Sequence, residues 1–119
     1  MAVAYSGCTL KIDAVAVEMP WPILEAAENA EKVFVLLDPD AYLSDVTYKA
    51  ARRQGAPAVR NLIAVGRTGE HLWEADLPEP SDYYYKLTSV SPLVAMSFSS
   101  YRCQIDVNSG RIASKEFLK

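Results

Sequence analysis

The second half of the chain is divided by turn residues into short apolar segments. From residue 60 onward we find six segments of six to eight residues, rich in β-branched and aromatic side chains: RNLIAV, EHLWEAD, YYYKLTSV, LVAMSFSS, YRCQID and RIASKEF. Between them lie GRTG, LPEPSD, Ser91-Pro92 and VNSG, which are typical of hairpin turns and loops. Because no helix separates consecutive segments, they predict an antiparallel meander rather than parallel βαβ units.

The first part of the chain adds two predicted strands. In CTLKIDAVAVEM, residues 8–19, apolar residues alternate with a slip in the middle, so we expect one long or bulged strand. KVFVLLD, residues 32–38, is a continuous apolar and β-branched run that ends at DPD. Such a run is typical of a strand that is buried on both faces.

Two short helices are also predicted. The segment PWPILEAAENA, which follows Met19, has Pro22 in a favourable first-turn position, two glutamates in its N-terminal half and Asn29 as a stop. In SDVTYKAARRQG, Ser44 or Asp45 is the expected N-cap and Gly55 lies just past the end. The connection over residues 38–59 is long for a small β-domain, and such connections are often functional.

Length and composition limit the number of domains. With 119 residues, half of them apolar, the chain can bury one modest core, so we expect a single β-rich domain over residues 1–119. The segments together predict an all-β fold, a mainly antiparallel meander of about eight strands with one or two short helices. Because the strands follow one another directly, an open sheet or half-barrel is expected rather than a sandwich.

The chain shows no obvious targeting or spanning segment. MAVAYSGCTLKID lacks a basic region followed by a sustained apolar run, and no stretch approaches the roughly 18–20 apolar residues that cross a bilayer. We therefore expect a cytoplasmic protein without a membrane partner. Cys8 and Cys103 lie far apart in the chain without metal-binding spacing. They are expected to be small core residues, with a disulfide or a reactive thiol as the alternative.

Residues suited to catalysis are few. His71 is the single histidine, so a histidine-rich metal site is impossible and a serine triad would depend on this residue. If its strand is bulged, His71 faces solvent with Glu74; in a regular strand it shares a face with Trp73. Asp38 and Asp40 are expected to form a turn rather than a cation site. Since no nucleophile-elbow, zinc-protease or phosphate-loop motif occurs, we expect no enzyme activity, no cofactor and no metal.

Tyrosines and arginines are the candidate binding residues. Three tyrosines are consecutive, so in a strand at least one of them must face away from the core. Tyrosine, tryptophan and arginine are enriched at protein interfaces. Residues 46–67 contain five basic and no acidic side chains. We therefore expect a non-enzymatic module that binds a protein partner or itself, as a homodimer. The predicted contact residues are Trp73, Tyr83, Tyr84, Tyr85, Tyr48, Arg52 and Arg53.

The sequence also allows three other kinds of partner: a second subunit, a small ligand and a nucleic acid. The last segment, RIASKEF, is an edge strand that could pair with another subunit. A curved sheet could instead hold a small ligand in a pocket lined by Trp73, Tyr84 and Met96. The basic run, with Tyr42 and Tyr48 beside it, also suits a nucleic acid. Acidic segments on both sides of the run oppose the approach of phosphates, so nucleic acid ranks third.

One hairpin, over residues 103–116, resembles a repeat of the PQQ-type β-propellers. In QIDVNSGRIASKEF, Asp106 matches the aspartate that caps the turn and Gly110 matches the glycine in the left-handed conformation. A weaker copy, AVGRTGEHLW, has Val65 where the aspartate belongs. A closed propeller needs about four blades or more, which this length does not allow. The resemblance therefore implies antiparallel hairpins and carries over no residue that binds PQQ.

From residue 20 onward, the order of segments is similar to that in small uncharacterised bacterial β-proteins encoded by accessory or mobile-element genes. The segments concerned are PWPI, KVFVLLD, RNLIAV, GEHLW, LPEPSDYYY, ID, SGRI and EFLK. Some proteins of this kind resemble immunity proteins, which neutralise the toxins of competing cells. The resemblance implies a partner-binding role and assigns it to no individual residue.

Overall fold

The computed structural model describes residues 3–118, which form three antiparallel sheets and two short helices. The first sheet contains β1 (Val3–Ser6), β2 (Thr9–Ile12) and β3 (Val15–Glu18). The second contains β4 (Ile23–Glu28), β5 (Lys32–Leu37), β6 (Leu62–Gly66) and β7 (His71–Glu74). The third contains β8 (Tyr84–Val90), β9 (Leu93–Ser97), β10 (Tyr101–Ile105) and β11 (Ile112–Phe117). Within each sheet, neighbouring strands are consecutive in the chain, so each sheet is a meander.

The second sheet lies between the other two and is buried on both faces. Alternation along β5 places Val33 and Val35 in a core shared with the first sheet, and Phe34 and Leu36 in a core shared with the third. β6 divides its side chains between the two cores in the same way. The prediction that KVFVLLD is buried on both faces is therefore confirmed.

The fold class predicted from the sequence is confirmed. Residues 3–118 are mostly β, antiparallel, with two short helices and no closed barrel, and all six strands expected after residue 60 are present. The structure has eleven strands where about eight were expected. They are divided among three stacked sheets, because segments 19–22 and 75–83 carry the chain from one layer to the next. This division lets each outer sheet cover one apolar face of the middle sheet.

Two predictions for the N-terminal part are wrong. Residues 8–19 form β2 and β3 instead of one strand, because Asp13 adopts a left-handed φ of 52° where the chain reverses. The helix expected after Pro20 is instead β4, which pairs with β5 from Ile23 to Glu28. Pairing with a fully buried strand and burial of Ile23 outweigh the weak helix preference of these residues.

Two helices, α1 (Pro39–Leu43) and α2 (Val46–Arg53), connect β5 to β6. The predicted helix over residues 44–54 is confirmed as α2, and its N-cap is Asp45, whose carboxylate accepts a hydrogen bond from the Tyr48 N–H at 2.8 Å. α1 replaces the turn expected at DPD. Asp38 caps it by accepting from the Asp40 N–H at 3.0 Å, and Pro39 occupies its first turn.

Local features of two hairpins also agree with the sequence. In β7, Ala64 pairs with Trp73 and Val65 with His71, which leaves Leu72 as the extra residue of a bulge. His71 is exposed, with its Nε2 atom 3.4 Å from Glu74 Oε2, as predicted for a bulged strand.

The turn between β10 and β11 also has the predicted form. The Asp106 carboxylate accepts a hydrogen bond from the Asn108 N–H at 2.8 Å, and Gly110 has a left-handed φ of 78°. Both residues therefore have the local roles that the sequence indicated.

Within residues 3–118, no helix has the length and apolar character needed to cross a membrane. The same residues contain no group of three His, Cys, Asp or Glu side chains placed to hold a metal ion. Cys8 and Cys103 are free thiols. Cys103 is buried in the core between the second and third sheets, as expected, whereas Cys8 is half-buried.

Candidate functional site

Aromatic rings anchor the two helices to the rest of the fold. The ring centroids of Tyr42, on α1, and Tyr48, on α2, are 5.2 Å apart. Both rings contact Trp21, at centroid distances of 5.8 and 6.3 Å. The Tyr48 hydroxyl accepts a hydrogen bond from the Val59 N–H at 3.1 Å. Aromatic contacts therefore hold both helices of the long connection between β5 and β6 against the rest of the fold.

A cavity of about 340 Å³ lies between these helices and the segment that precedes β8. We call it the helix cavity. It is lined by Tyr42, Leu43, Tyr48, Lys49, Arg52, Arg53, Ala58, Ser81 and Asp82. Its lining combines aromatic rings, three cationic side chains and one carboxylate, so it offers both hydrogen-bonding and charged groups.

Two buried polar atoms of the helix cavity lack a hydrogen-bond partner within the described residues. Asp82 is only 3% exposed; its Oδ1 accepts from the N–H groups of Tyr83 and Ser99 at 2.8 and 3.1 Å, but its Oδ2 has no partner. The Tyr42 hydroxyl is also unpaired. Burial raises the pKa of Tyr42 well above its usual value, and the neighbouring hydroxyls of Tyr48 and Tyr83 and the carboxylates of Asp38 and Asp82 act in the same direction. The Tyr42 hydroxyl therefore keeps its proton and can both donate and accept.

The exposed side of the helix cavity carries cations that are not neutralised. Lys49 and Arg53 are four residues apart on α2 and so lie on the same helix face. Within residues 3–118, neither side chain lies within ion-pair distance of a carboxylate. Arg52, by contrast, donates to the Ser81 hydroxyl at 2.8 Å and to the Ala56 carbonyl. Lys49 and Arg53 are thus available to an anionic group from outside the chain.

A larger groove of about 1100 Å³ adjoins the helix cavity and shares Arg52, Ala58 and Ser81 with it. We call it the loop groove. One wall is formed by residues 112–115 of β11, the edge strand of the third sheet, and the other by the loop of residues 76–81. Pro57 and Arg60 complete the lining.

Three charged side chains of the loop groove, Arg60, Asp76 and Lys115, have partners within the fold. Arg60 lies 3.2 Å from Asp76. Lys115 donates to the Pro78 carbonyl at 3.4 Å and lies 4.8 Å from the centroid of the Tyr101 ring. The distinctive element of the groove is the edge of the sheet.

The structure brings together only some of the residues predicted from the sequence. Tyr48, Arg52 and Arg53 all line the helix cavity. Tyr83 is half-buried, and its ring is stacked on that of Phe98 with the centroids 5.0 Å apart. Tyr85 is exposed on β8, away from both the helix cavity and the loop groove.

Trp73 and Tyr84 belong to the core between the second and third sheets. Trp73 donates from Nε1 to the Val107 carbonyl at 2.9 Å, and Tyr84 donates from its hydroxyl to the Asp76 carbonyl at 2.6 Å. Met96 follows the buried Ala95 in β9 and faces the opposite side of the sheet. These three residues therefore do not share a pocket, and neither Trp73 nor Tyr84 offers a surface to a partner.

Sequence reasoning did not identify the buried acid of the helix cavity. Asp82 stands directly before the three tyrosines, at the end of an acidic stretch, where it looks like an ordinary loop residue. Its carboxylate accepts from the backbone N–H groups of Tyr83 and Ser99. Ser99 lies in the turn between β9 and β10, 17 residues further along the chain. The one sequence clue was the break in pattern over residues 38–59, which correctly marked the other half of the cavity.

Comparison with known proteins gives one result. Neither the curated proteins nor the solved structures yield a match to this chain. A family model does match, over residues 1–117, and thus over nearly the whole chain. By this match the chain belongs to DUF7957, a family described as a domain of unknown function.

Proposed function

We propose that the protein is a non-enzymatic protein-interaction module that binds an extended segment of a partner protein in the loop groove, as an added strand beside β11. The observation that carries this proposal is that an edge strand forms one wall of an open groove. Addition of a strand to a sheet edge is a common mode of peptide recognition, because the main chain of the peptide satisfies the free backbone groups of the edge.

The backbone of β11 presents free hydrogen-bonding groups to the groove side. Among the strands of residues 3–118, β11 pairs only with β10. The Leu118 N–H donates to the Ser100 carbonyl at 2.8 Å, so Leu118 directs its backbone groups toward the β10 side. Because this direction alternates along an antiparallel pair, Glu116 also faces β10, whereas Lys115 and Phe117 face away from it.

The opposite wall of the groove does not satisfy these groups. The Asp76 N–H donates to the Gly110 carbonyl at 3.0 Å, just before β11 begins. Within the described residues, no further backbone hydrogen bond connects loop 77–81 to β11. Pro78 and Pro80 lie in this loop, and proline has no N–H to donate. The loop is therefore connected to this part of β11 by a side chain, through the hydrogen bond from Lys115 to the Pro78 carbonyl at 3.4 Å, and not by backbone pairing. An added strand would have to displace that side chain.

Two features limit indiscriminate pairing along this edge. The register between β10 and β11 shifts near Ile105, which places a bulge at Ala113. Lys115 puts a positive charge on the exposed strand. Bulges and edge lysines are typical means of preventing aggregation through open edges. A partner must therefore follow the bulge and accommodate Lys115, which gives the site selectivity.

The proposal includes a cytoplasmic location. The free thiols of Cys8 and Cys103 support it, because thiols persist in a reducing compartment.

The experiment is a selection of displayed random peptides of about 12 residues on the immobilised full chain, followed by anisotropy titrations with the enriched peptides. The test variant is Lys115→Pro, which removes the outward N–H, and its matched control is Lys115→Ala, which keeps it. Both variants lose the contacts of the lysine side chain. They differ in the backbone N–H and in the backbone restriction that the proline ring imposes. We expect Lys115→Ala to bind within about threefold of wild type and Lys115→Pro to bind at least about tenfold more weakly.

A second measurement covers the case in which Lys115→Pro does not fold. Hydrogen exchange on the wild-type chain should then show slower exchange of the Lys115 and Phe117 amides when an enriched peptide is bound. Failure to enrich any peptide, or equal binding by both variants, would contradict the proposal. A dimer of the free protein that Lys115→Pro abolishes would make a second copy the occupant and would overturn the proposal of a different partner.

A further inference from the structure

The helix cavity contains a buried acceptor that the protein leaves unused. An unpaired polar atom that is buried away from water costs about 1–3 kcal/mol, and more if it is charged, so native proteins seldom keep one without a reason. Asp82 Oδ2 is such an atom, and the hydroxyl of Tyr42, on the same cavity, is a second one. A ligand that donates hydrogen bonds here would satisfy both.

The exposed side of the same cavity has cations and would favour an anionic group. Lys49 and Arg53 repel each other across one turn of α2, and no carboxylate of residues 3–118 lies within ion-pair distance of either. An anionic group bound between them would relieve this repulsion and form charge-assisted hydrogen bonds. A suitable ligand therefore has a donor at one end and a negative charge at the other.

We propose that the helix cavity is a binding site for a free α-amino acid, whose ammonium group donates to Asp82 and whose carboxylate lies between Lys49 and Arg53. The ligand's side chain then packs against Leu43 and Ala58, the apolar part of the lining. The volume, about 340 Å³, lies in the range of small-molecule pockets. The Tyr42 hydroxyl keeps its proton, since burial raises its pKa, and therefore accepts from the ammonium group and donates to the carboxylate.

This site is separate from the one assigned to a partner protein. It uses no residue of β11, and the residues that it shares with the loop groove are Arg52, Ala58 and Ser81. The Lys115→Pro variant should therefore bind amino acids as the wild type does. Each proposal can consequently fail while the other holds.

The test is isothermal titration of the full chain with each of the twenty common amino acids. For the tightest ligand, two analogues are compared: the amine that lacks the carboxylate and the acid that lacks the amine. The variants are Asp82→Asn and Arg53→Gln, with Arg111→Gln as a control, because Arg111 is exposed and lies outside the cavity lining. We expect at least one amino acid to bind, and both analogues and both cavity variants to weaken binding at least about tenfold.

The contrary results are equally definite. If no amino acid binds, or if inorganic phosphate binds as well as any amino acid, the proposal is wrong. It is also wrong if a crystal structure grown with the amino acid shows only a water molecule between Asp82 and Tyr42. Should Asp82→Asn fail to fold, Tyr42→Phe takes its place. Unchanged affinity in Tyr42→Phe and Arg53→Gln would then overturn the proposal.

Discussion

At the scale of single residues, the side chain of Asn61 connects two sheets. It is fully buried just before β6. Its side-chain amide donates to the Leu37 carbonyl at 3.0 Å and to the Tyr84 carbonyl at 2.7 Å, and its oxygen accepts from the Tyr84 N–H at 3.0 Å. One side chain thus satisfies backbone groups at the end of β5 and at the start of β8, in two different layers.

Replacing Asn61 by Ala should destabilise the fold strongly, because it leaves several buried backbone groups without partners. We expect the free energy of unfolding to fall by at least about 2 kcal/mol. Urea denaturation followed by circular dichroism measures this change. Asn108→Ala is the matched control, since Asn108 is exposed in a turn; we expect a change below about 0.5 kcal/mol there. Equal losses in the two variants would contradict the structural role of Asn61.

At the scale of elements, glycines with left-handed φ angles let the chain reverse after β10 and end the helix α2. Gly110 and Gly55 both have left-handed φ angles, of 78° and 94°. Their surroundings differ. A Cβ on Gly110 would lie 2.6 Å from the Trp73 ring, whereas nothing lies within 4 Å of a Cβ on Gly55. Gly110 is therefore required both for its conformation and for the close approach of the β10–β11 turn to the core.

The two glycines allow the contributions of conformation and contact to be separated. Gly55→Ala should cost about 1 kcal/mol, the usual penalty for a side chain in the left-handed region. Gly110→Ala should cost clearly more, and it should shift the tryptophan fluorescence of the folded state, because the Trp73 ring must move. Denaturation curves and emission spectra of both variants provide the comparison. A Gly110→Ala variant as stable as Gly55→Ala would show that the turn adapts without disturbing Trp73.

Elements with local signals could be predicted from the sequence. The hairpins after residue 60 carry their own turn residues, and α2 carries its cap and its terminal glycine, so both were found. β4 was not, because its strand conformation comes from pairing with β5 and not from its own composition. The helix cavity was found only in part: Tyr48, Arg52 and Arg53 come from one helix, whereas Asp82 joins them through the fold.

At the scale of the whole molecule, the shared middle sheet should make unfolding cooperative. Its two faces form two separate cores, and one tryptophan reports on each: Trp21 packs against the core with the first sheet, and Trp73 lies in the core with the third. Unfolding of either outer sheet would expose apolar residues of the middle sheet, so we expect the three layers to unfold together.

Single-tryptophan variants test this cooperativity. Trp21→Phe leaves Trp73 as the reporter, and Trp73→Phe leaves Trp21. In each variant, we expect the fluorescence transition in urea to coincide with that of circular dichroism, because the layers unfold together. A fluorescence midpoint clearly below the circular dichroism midpoint in one variant would show that one layer unfolds first.

The order of the three layers along the chain has a consequence for synthesis on the ribosome. The first and second sheets emerge before the third, and when β7 is complete, Phe34, Leu36 and Trp73 form an apolar face that nothing covers yet. The third sheet, which supplies the cover, begins only at Tyr84. A nascent chain that pauses between β7 and β8 therefore exposes an apolar surface of the kind that chaperones bind. This surface is fully covered only when the last hairpin, β10–β11, is complete.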